Sequence, residues 1–132
     1  MSYIIKQLGD ESIIIITCIN FNVTVDMPNV HRDVATLIQD KPGLFYRIVD
    51  LTEANFSFSG AVDGLLVASR SATGGVADPR TRTILVGTDE MTKLASEAFK
   101  QDQYGKRDVP MFSSLKAGID YARTELKNSA SS

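Results

Sequence analysis

Two serines at the start of a predicted helix occupy the position best suited to regulatory chemistry. Ser57 and Ser59 come just before Gly60 and the apolar helical pattern that follows it. The unpaired N–H groups in the first turn of a helix bind either a side-chain oxygen or a phosphate. The position therefore predicts one of two roles for these serines: a plain N-cap, or a phosphorylation site on a partner-binding surface.

Three further polar residues stand where predicted strands end. Asp50, Thr88 and Ser113 each close or follow such a strand. Open α/β sheets bind ligands at the carboxyl ends of their strands, so these residues are predicted to line one crevice with Ser59. The alternative is that each one simply caps a helix or a turn, which Asp, Ser and Thr commonly do.

Cys18 and His31 are the residues with nucleophile or metal-ligand chemistry, and each occurs once as its type. Cys18 lies in an apolar run and is predicted to be inert core. His31 falls in a predicted helix beside Arg32 and Asp33, and is expected to face solvent. No Cys-x-x-Cys, His-Glu-x-x-His or glycine-rich phosphate loop occurs. We therefore expect a protein that is not an enzyme, with no catalytic residues, metal or cofactor.

Composition points to one ordinary globular domain. The chain has 132 residues, is 43% hydrophobic and 23% charged, and carries a net charge of -2. Lys and Arg are spread along the chain without a basic block, which argues against nucleic-acid binding. The longest apolar run is far shorter than the roughly 20 residues of a membrane span. We expect a cytoplasmic protein that binds neither nucleic acid nor membrane.

Five runs of β-branched and aromatic residues predict the strands of one sheet. The first two are joined by Gly9-Asp10 and predict an antiparallel hairpin. The last run contains Pro110 and predicts an edge strand. Helices separate the later strands, so those near 44–50 and 81–87 are predicted to be parallel. The strand runs are 3–8, 11–19, 44–51, 81–87 and 109–112.

Four helical patterns alternate with these strands. The first is predicted to begin at an N-cap Asp26, and the second follows Gly60. The third is predicted to be capped by Thr88, and the last by Ser113 or Ser114. The apolar helix faces are predicted to include Leu65, Leu94, Leu115 and Ala122.

The order β-β-α-β-α-β-α-β-α predicts an α/β domain with a mixed sheet of about five strands and about four helices. The sequence predicts a single domain over 1–127, followed by a disordered tail over 128–132.

This element order resembles the STAS, or anti-sigma factor antagonist, family over nearly the whole chain. In that family a strand ends in Asp-Leu-Ser and is followed by Phe-Met-Asp-Ser-Ser-Gly at a helix start. Here the strand ends in Asp50-Leu51-Thr52, and Phe56-Ser57-Phe58-Ser59-Gly60 follows. The segment from Val86 to Phe112 also resembles uncharacterised bacterial proteins grouped as STAS-like or SpoIIAA-like.

The resemblance implies a SpoIIAA-like fold and a non-enzymatic regulatory module that binds a protein. The implied partner is an anti-sigma factor or a kinase-like regulator, with a homodimer as a further possibility. Ser59 matches the family's phosphorylated serine, but Phe58 stands where the family has Asp. We therefore expect partner binding to be kept and the phosphorylation switch to be lost. The alternative function is a small-molecule or lipid carrier, or an undetected enzyme, that uses the crevice.

Overall fold

The computed structural model describes residues 3–20, 22–54, 78–101 and 106–131, and within these ranges five strands form one sheet. The order across the sheet is β1-β2-β3-β4-β5, with β1 antiparallel to β2 and each later neighbour parallel. The predicted mixed sheet is confirmed, and so is the parallel pairing of its third and fourth strands. The strands are β1 (Tyr3–Gln7), β2 (Ile13–Cys18), β3 (Phe45–Asp50), β4 (Thr81–Val86) and β5 (Met111–Phe112).

Three helices are described: α1 (Val23–Ile38), α2 (Glu90–Ala98) and α3 (Leu115–Ser131). The predicted helix after Gly60 lies outside the described residues. Helix α3 continues beyond Lys127, where the sequence placed the end of the domain, and it includes 128–131. Each helix in the described ranges is too short or too polar to cross a bilayer.

The core consists of two apolar layers on the two faces of the sheet. The unbroken run Ile13–Ile16 is buried on both faces, as its lack of alternation predicts. Ile14 and Ile16 pack with Val30 and Val34 of α1 on one face, and Ile13 and Ile15 pack with Ala122 of α3 on the other. Both layers cover β2 and β3, and these strands are therefore the rigid centre that positions the loops at their ends.

Helix α1 begins four residues earlier than its sequence predicts. Its N-cap is Asn22, whose Oδ1 accepts a hydrogen bond from the Val25 N–H at 3.1 Å. Asp26 is not the cap: it lies in the first turn, where its Oδ2 accepts from the Asn22 N–H at 2.8 Å. The Asn22 side chain thus satisfies the Val25 N–H while the Asp26 side chain satisfies the Asn22 N–H, an arrangement that resembles a capping box. A carboxylate in the first turn also favours the helix dipole.

Helix α2 buries Ala98 and is followed by the buried Phe99, as the spacing of its apolar residues predicts, but Leu94 is an exception. Leu94, predicted to be buried, is 39% exposed, whereas Thr92 and Ser96 are buried. The Ser96 Oγ donates to the Val109 carbonyl at 2.6 Å, and Thr92 packs against Gly87. A Cβ atom on Gly87 would meet the Thr92 Oγ1 at 2.8 Å. Small polar residues therefore bring this helix close to the end of β4, and the larger Leu94 points outward.

Candidate functional site

The carboxyl ends of the parallel strands bring the predicted crevice residues to one edge of the sheet. Asp50, the last residue of β3, pairs with Val86 of β4, and Val86 pairs with Phe112 of β5. Thr88 and Ser113 follow directly after these strand ends. We name the exposed residues of this edge the carboxyl rim: Thr52, Glu53, Thr88, Asp89, Glu90, Ser113 and Ser114.

Asp50 organises the turn that leaves β3. Its Oδ1 accepts hydrogen bonds from the Thr52 N–H at 3.1 Å and from the Thr52 Oγ1 at 2.7 Å. The Ala54 N–H donates to the Leu51 carbonyl at 3.1 Å, and both of those side chains are buried. This is an Asx-type turn anchored by two apolar contacts. It fixes Thr52 and Glu53 on the surface and engages the Oδ1 of Asp50.

The helix N-termini at the carboxyl rim are satisfied by side chains of the chain itself. Asp89, and not the predicted Thr88, caps α2: its Oδ1 accepts from the Thr92 N–H at 2.8 Å. Of the two serines predicted to cap the last helix, it is Ser114 whose Oγ accepts from the Ala117 N–H, at 3.2 Å. Thr88 and Ser113 each precede the actual cap by one residue and are exposed. The rim therefore presents side-chain oxygens outward, and one first-turn amide of each helix is engaged by its cap.

Ser57, Ser59 and Gly60 lie outside the described residues, so their roles stay predictions. The described chain ends, on that side, with the anchored turn at Leu51 and Ala54.

Cys18 and His31 are both buried, so the expected exposure of His31 is wrong. His31 is 4% exposed, because its side chain lies on the side of α1 that faces the sheet. Burial, with a contribution from Arg47, lowers the pKa of His31 to about 4, and burial raises the pKa of the Cys18 thiol to about 12. At neutral pH the imidazole is uncharged and the thiol is protonated. In the described part of the chain, no three His, Cys, Asp or Glu side chains come together as metal ligands.

Arg47 is a charged residue in the centre of β3, and it is only 2% exposed. Its Nε donates to the Thr83 Oγ1 at 3.2 Å, and its buried Nη1 has no hydrogen-bond partner. Burial lowers the pKa of Arg47 to about 10. The guanidinium therefore remains protonated at neutral pH and places a positive charge beneath α1.

Comparison with solved structures identifies the architecture. The chain matches the crystal structure of an uncharacterized protein of the DUF3478 family from Shewanella loihica PV-4, described as having a SpoIIAA-like fold. The match has a TM-score of 0.58 and 13% sequence identity, and it covers 91% of each chain. The chain has a SpoIIAA-like fold. No protein-family model matches the sequence, and no curated protein matches it.

A cavity of ≈ 570 Å³ lies at the opposite end of the SpoIIAA-like sheet from the carboxyl rim. It is lined by residues at the start of β4, by the loop before β5 and by one side of α3. Asp50, Thr88 and Ser113 are not among its lining residues. A shared crevice between those three residues stays a prediction.

Several polar residues of this fold escaped the sequence analysis. Arg47 had a visible signal, since a charged residue inside an otherwise apolar strand is buried and unusual. The cavity residues Thr83, Arg107 and Glu125 had none, because they come from three separate elements.

Proposed function

We propose that this protein is a regulatory module that acts by binding a protein partner through its carboxyl rim, and not by catalysis. The observation that carries the proposal is the rim itself, an exposed polar edge held in place by two rigid, buried strands. The Asp50 turn and the Asp89 and Ser114 caps fix the backbone of that edge. A preorganised surface of this kind lowers the entropic cost of docking.

The charge of the rim supports a partner with a basic docking surface. Glu53, Asp89 and Glu90 are all exposed there. The described segments 51–54, 87–90 and 113–114 contain no Lys or Arg. The exposed Lys93 and Lys116 lie just inside α2 and α3, and Lys116 pairs with Asp120. The edge itself is acidic, and an acidic edge steers a basic partner toward itself and disfavours an acidic one. An anti-sigma factor or a kinase-like regulator remains the predicted class of partner, in the cytoplasm, and self-association is a further prediction.

The chemistry of the two reactive residue types also supports binding over catalysis. A nucleophilic cysteine needs a thiolate, and a general base needs a pKa near the working pH. The pKa of Cys18 is raised to about 12, so the side chain is a thiol and not a thiolate at neutral pH. The pKa of His31 is lowered to about 4, well below a neutral working pH. Both side chains are also buried away from the rim's surface.

Site-specific cross-linking tests the proposal. A benzophenone maleimide is attached to Glu53→Cys at the rim, and to Asp40→Cys as a matched control. Asp40 is an exposed acid just after α1, at the other end of the sheet. The native Cys18 is buried and leaves the label on the new cysteine alone.

We expect a protein adduct from host lysate at position 53 and none at position 40, with the adduct yield falling as salt rises. Mass spectrometry then identifies the partner. Equal adducts at both positions, or no adduct at position 53, would contradict a partner-binding rim.

A further inference from the structure

The outer edge of β4 is left open over its first half. The Phe45 and Leu51 N–H groups donate to the Arg80 and Val86 carbonyls, so the even-numbered residues of β4 face β3. The Leu85 and Gly87 N–H groups donate to the Pro110 and Phe112 carbonyls, so the odd-numbered residues face β5. The backbone N–H and C=O of Thr83 accordingly point away from β3, toward the outer edge.

Pro110 explains why the ladder does not continue to Thr83. In the parallel register of β4 and β5, residue 110 is the one whose N–H would donate to the Thr83 carbonyl. Proline has no N–H, so this rung cannot form. Strand β5 therefore begins only at Met111. No described hydrogen bond reaches the Thr83 N–H or C=O, and the cavity opens beside them.

One side of this cavity offers hydrogen-bond donors and positive charge. Arg107 lines the cavity, and its Nε is enclosed within the protein without a hydrogen-bond partner in the described chain. Lys106 also lines the cavity, and Arg82 lines it beside Tyr46, its partner in the β3–β4 ladder. The positive charge of these side chains suits this part of the cavity to an anionic group such as a carboxylate. The open Thr83 N–H adds a further donor.

Another part of the lining is aromatic and acidic. Tyr46 and Tyr121 meet edge to face, with ring centroids 6.5 Å apart. Burial raises the pKa of each tyrosine, and the negative charge of Glu125 is the next largest cause in the same direction. Asp108 also raises the pKa of Tyr121, whereas the neighbouring Arg82 lowers that of Tyr46. Tyrosine faces beside carboxylates form a favourable environment for an ammonium group. The open Thr83 carbonyl is an additional acceptor for such a group.

We propose that this cavity binds a small zwitterion, an amino acid or a dipeptide with a free ammonium and a free carboxylate. The carboxylate is received by Arg107 and the Thr83 N–H, and the ammonium by Glu125 and the tyrosine faces. The cavity volume of ≈ 570 Å³ is within the range of pockets for small ligands, about 300–1,000 Å³. The site is at the amino end of β4 and is independent of the carboxyl rim.

Binding is tested on the intact chain by isothermal titration with the twenty common L-amino acids and a set of unmodified dipeptides. The best binder is then compared with its N-acetyl form, which lacks the ammonium, and its C-terminal amide, which lacks the carboxylate. We expect at least one zwitterion to bind with a Kd below about 1 mM, and each blocked form to bind at least about tenfold more weakly.

Two variants locate the site. Arg107→Met removes the positive charge of the guanidinium, and Glu125→Gln removes the negative charge beside the tyrosines. Each is expected to weaken binding by about tenfold or more. Arg107→Met is also expected to leave the unliganded protein as stable as the parent in a urea melt, because its Nε has no partner to lose. Lys100→Met and Glu97→Gln, at exposed positions of α2 and its end, are the matched controls and should bind like the parent.

Three results would overturn the proposal. The first is that no zwitterion gives a heat of binding at about 10 mM, which would mean a Kd too weak for a functional site. The second is equal binding of a peptide blocked at both ends, which would mean that the open edge adds an extended strand instead. The third is unchanged affinity in both Arg107→Met and Glu125→Gln. None of these results bears on the cross-linking at position 53.

Discussion

Burial of His31 makes the stability of the protein depend on pH between about 4 and 6.5. The imidazole is 4% exposed, and its Nε2 has no hydrogen-bond partner in the described chain. Burial, followed by the positive charge of Arg47, lowers its pKa from the ordinary 6.5 to about 4. The unfolded chain therefore takes up a proton between these values and the folded chain does not.

The sign and size of the effect follow from this difference. Stability from the buried neutral imidazole is fully present above pH 6.5, and it is lost as the pH falls toward 4. The interval between the two values corresponds to about 3 kcal/mol, at about 1.4 kcal/mol for each pH unit. Below pH 4 both states are protonated and the loss attributable to His31 stops growing.

Urea unfolding of the parent and of His31→Leu, from pH 7.5 to pH 4, measures this contribution. His31 is the one histidine of the chain, and the carboxylates titrate alike in both proteins. We expect the free energy of unfolding of the parent to fall by about 3 kcal/mol more than that of the variant. If the free energy of unfolding fell equally in the two proteins, the claim that His31 is a buried, neutral imidazole would be refuted.

Three further predictions concern packing and caps. Cys18 should react with a thiol reagent only after denaturation, because its pKa is about 12 and it is buried; rapid labelling of the native protein would be inconsistent with this. Gly87→Ala should lower the free energy of unfolding by about 1–3 kcal/mol in a urea melt, and adding Thr92→Ser should recover part of it. Asp89→Ala should lower the free energy of unfolding by about 1 kcal/mol, whereas Thr88→Ala should change it by less than about 0.5 kcal/mol. A larger loss in Thr88→Ala than in Asp89→Ala would mean that Thr88 is the cap.

The sheet could be predicted from the sequence because its signals are local and strong. The run Ile13–Ile16 has apolar residues at successive positions, which is typical of a strand buried on both faces. Helical patterns between the later strands required parallel pairing, and the register of β3 with β4 agrees. The edge position of the last strand followed from Pro110.

The spacing of apolar residues predicted most of the buried helix faces, since Val30 and Val34 of α1 and Ala98 of α2 are buried. The sequence did not reveal the caps, which are Asn22 and Asp89 and not Asp26 and Thr88. It also missed two single residues, since Leu94 is exposed and His31 is buried. Both helices were placed by short polar contacts that a hydrophobic pattern does not record.

The cavity depends on three-dimensional placement, which the sequence does not reveal. Its donors and acceptors come from the start of β4, the loop before β5 and one side of α3. The rule that ligands bind at carboxyl strand ends pointed to Asp50, Thr88 and Ser113 instead. At the amino end, the space arises because β5 has only two residues.

The central claim, that the carboxyl rim binds a basic partner, is tested most directly by titration with the partner identified at position 53. The rim variant combines Glu53→Gln with Asp89→Asn, which removes two charges and keeps an Oδ1 to cap α2. The account predicts that this variant binds at least about tenfold more weakly at low salt, and that Asp40→Asn binds like the parent. Equal affinity of all three proteins would contradict it.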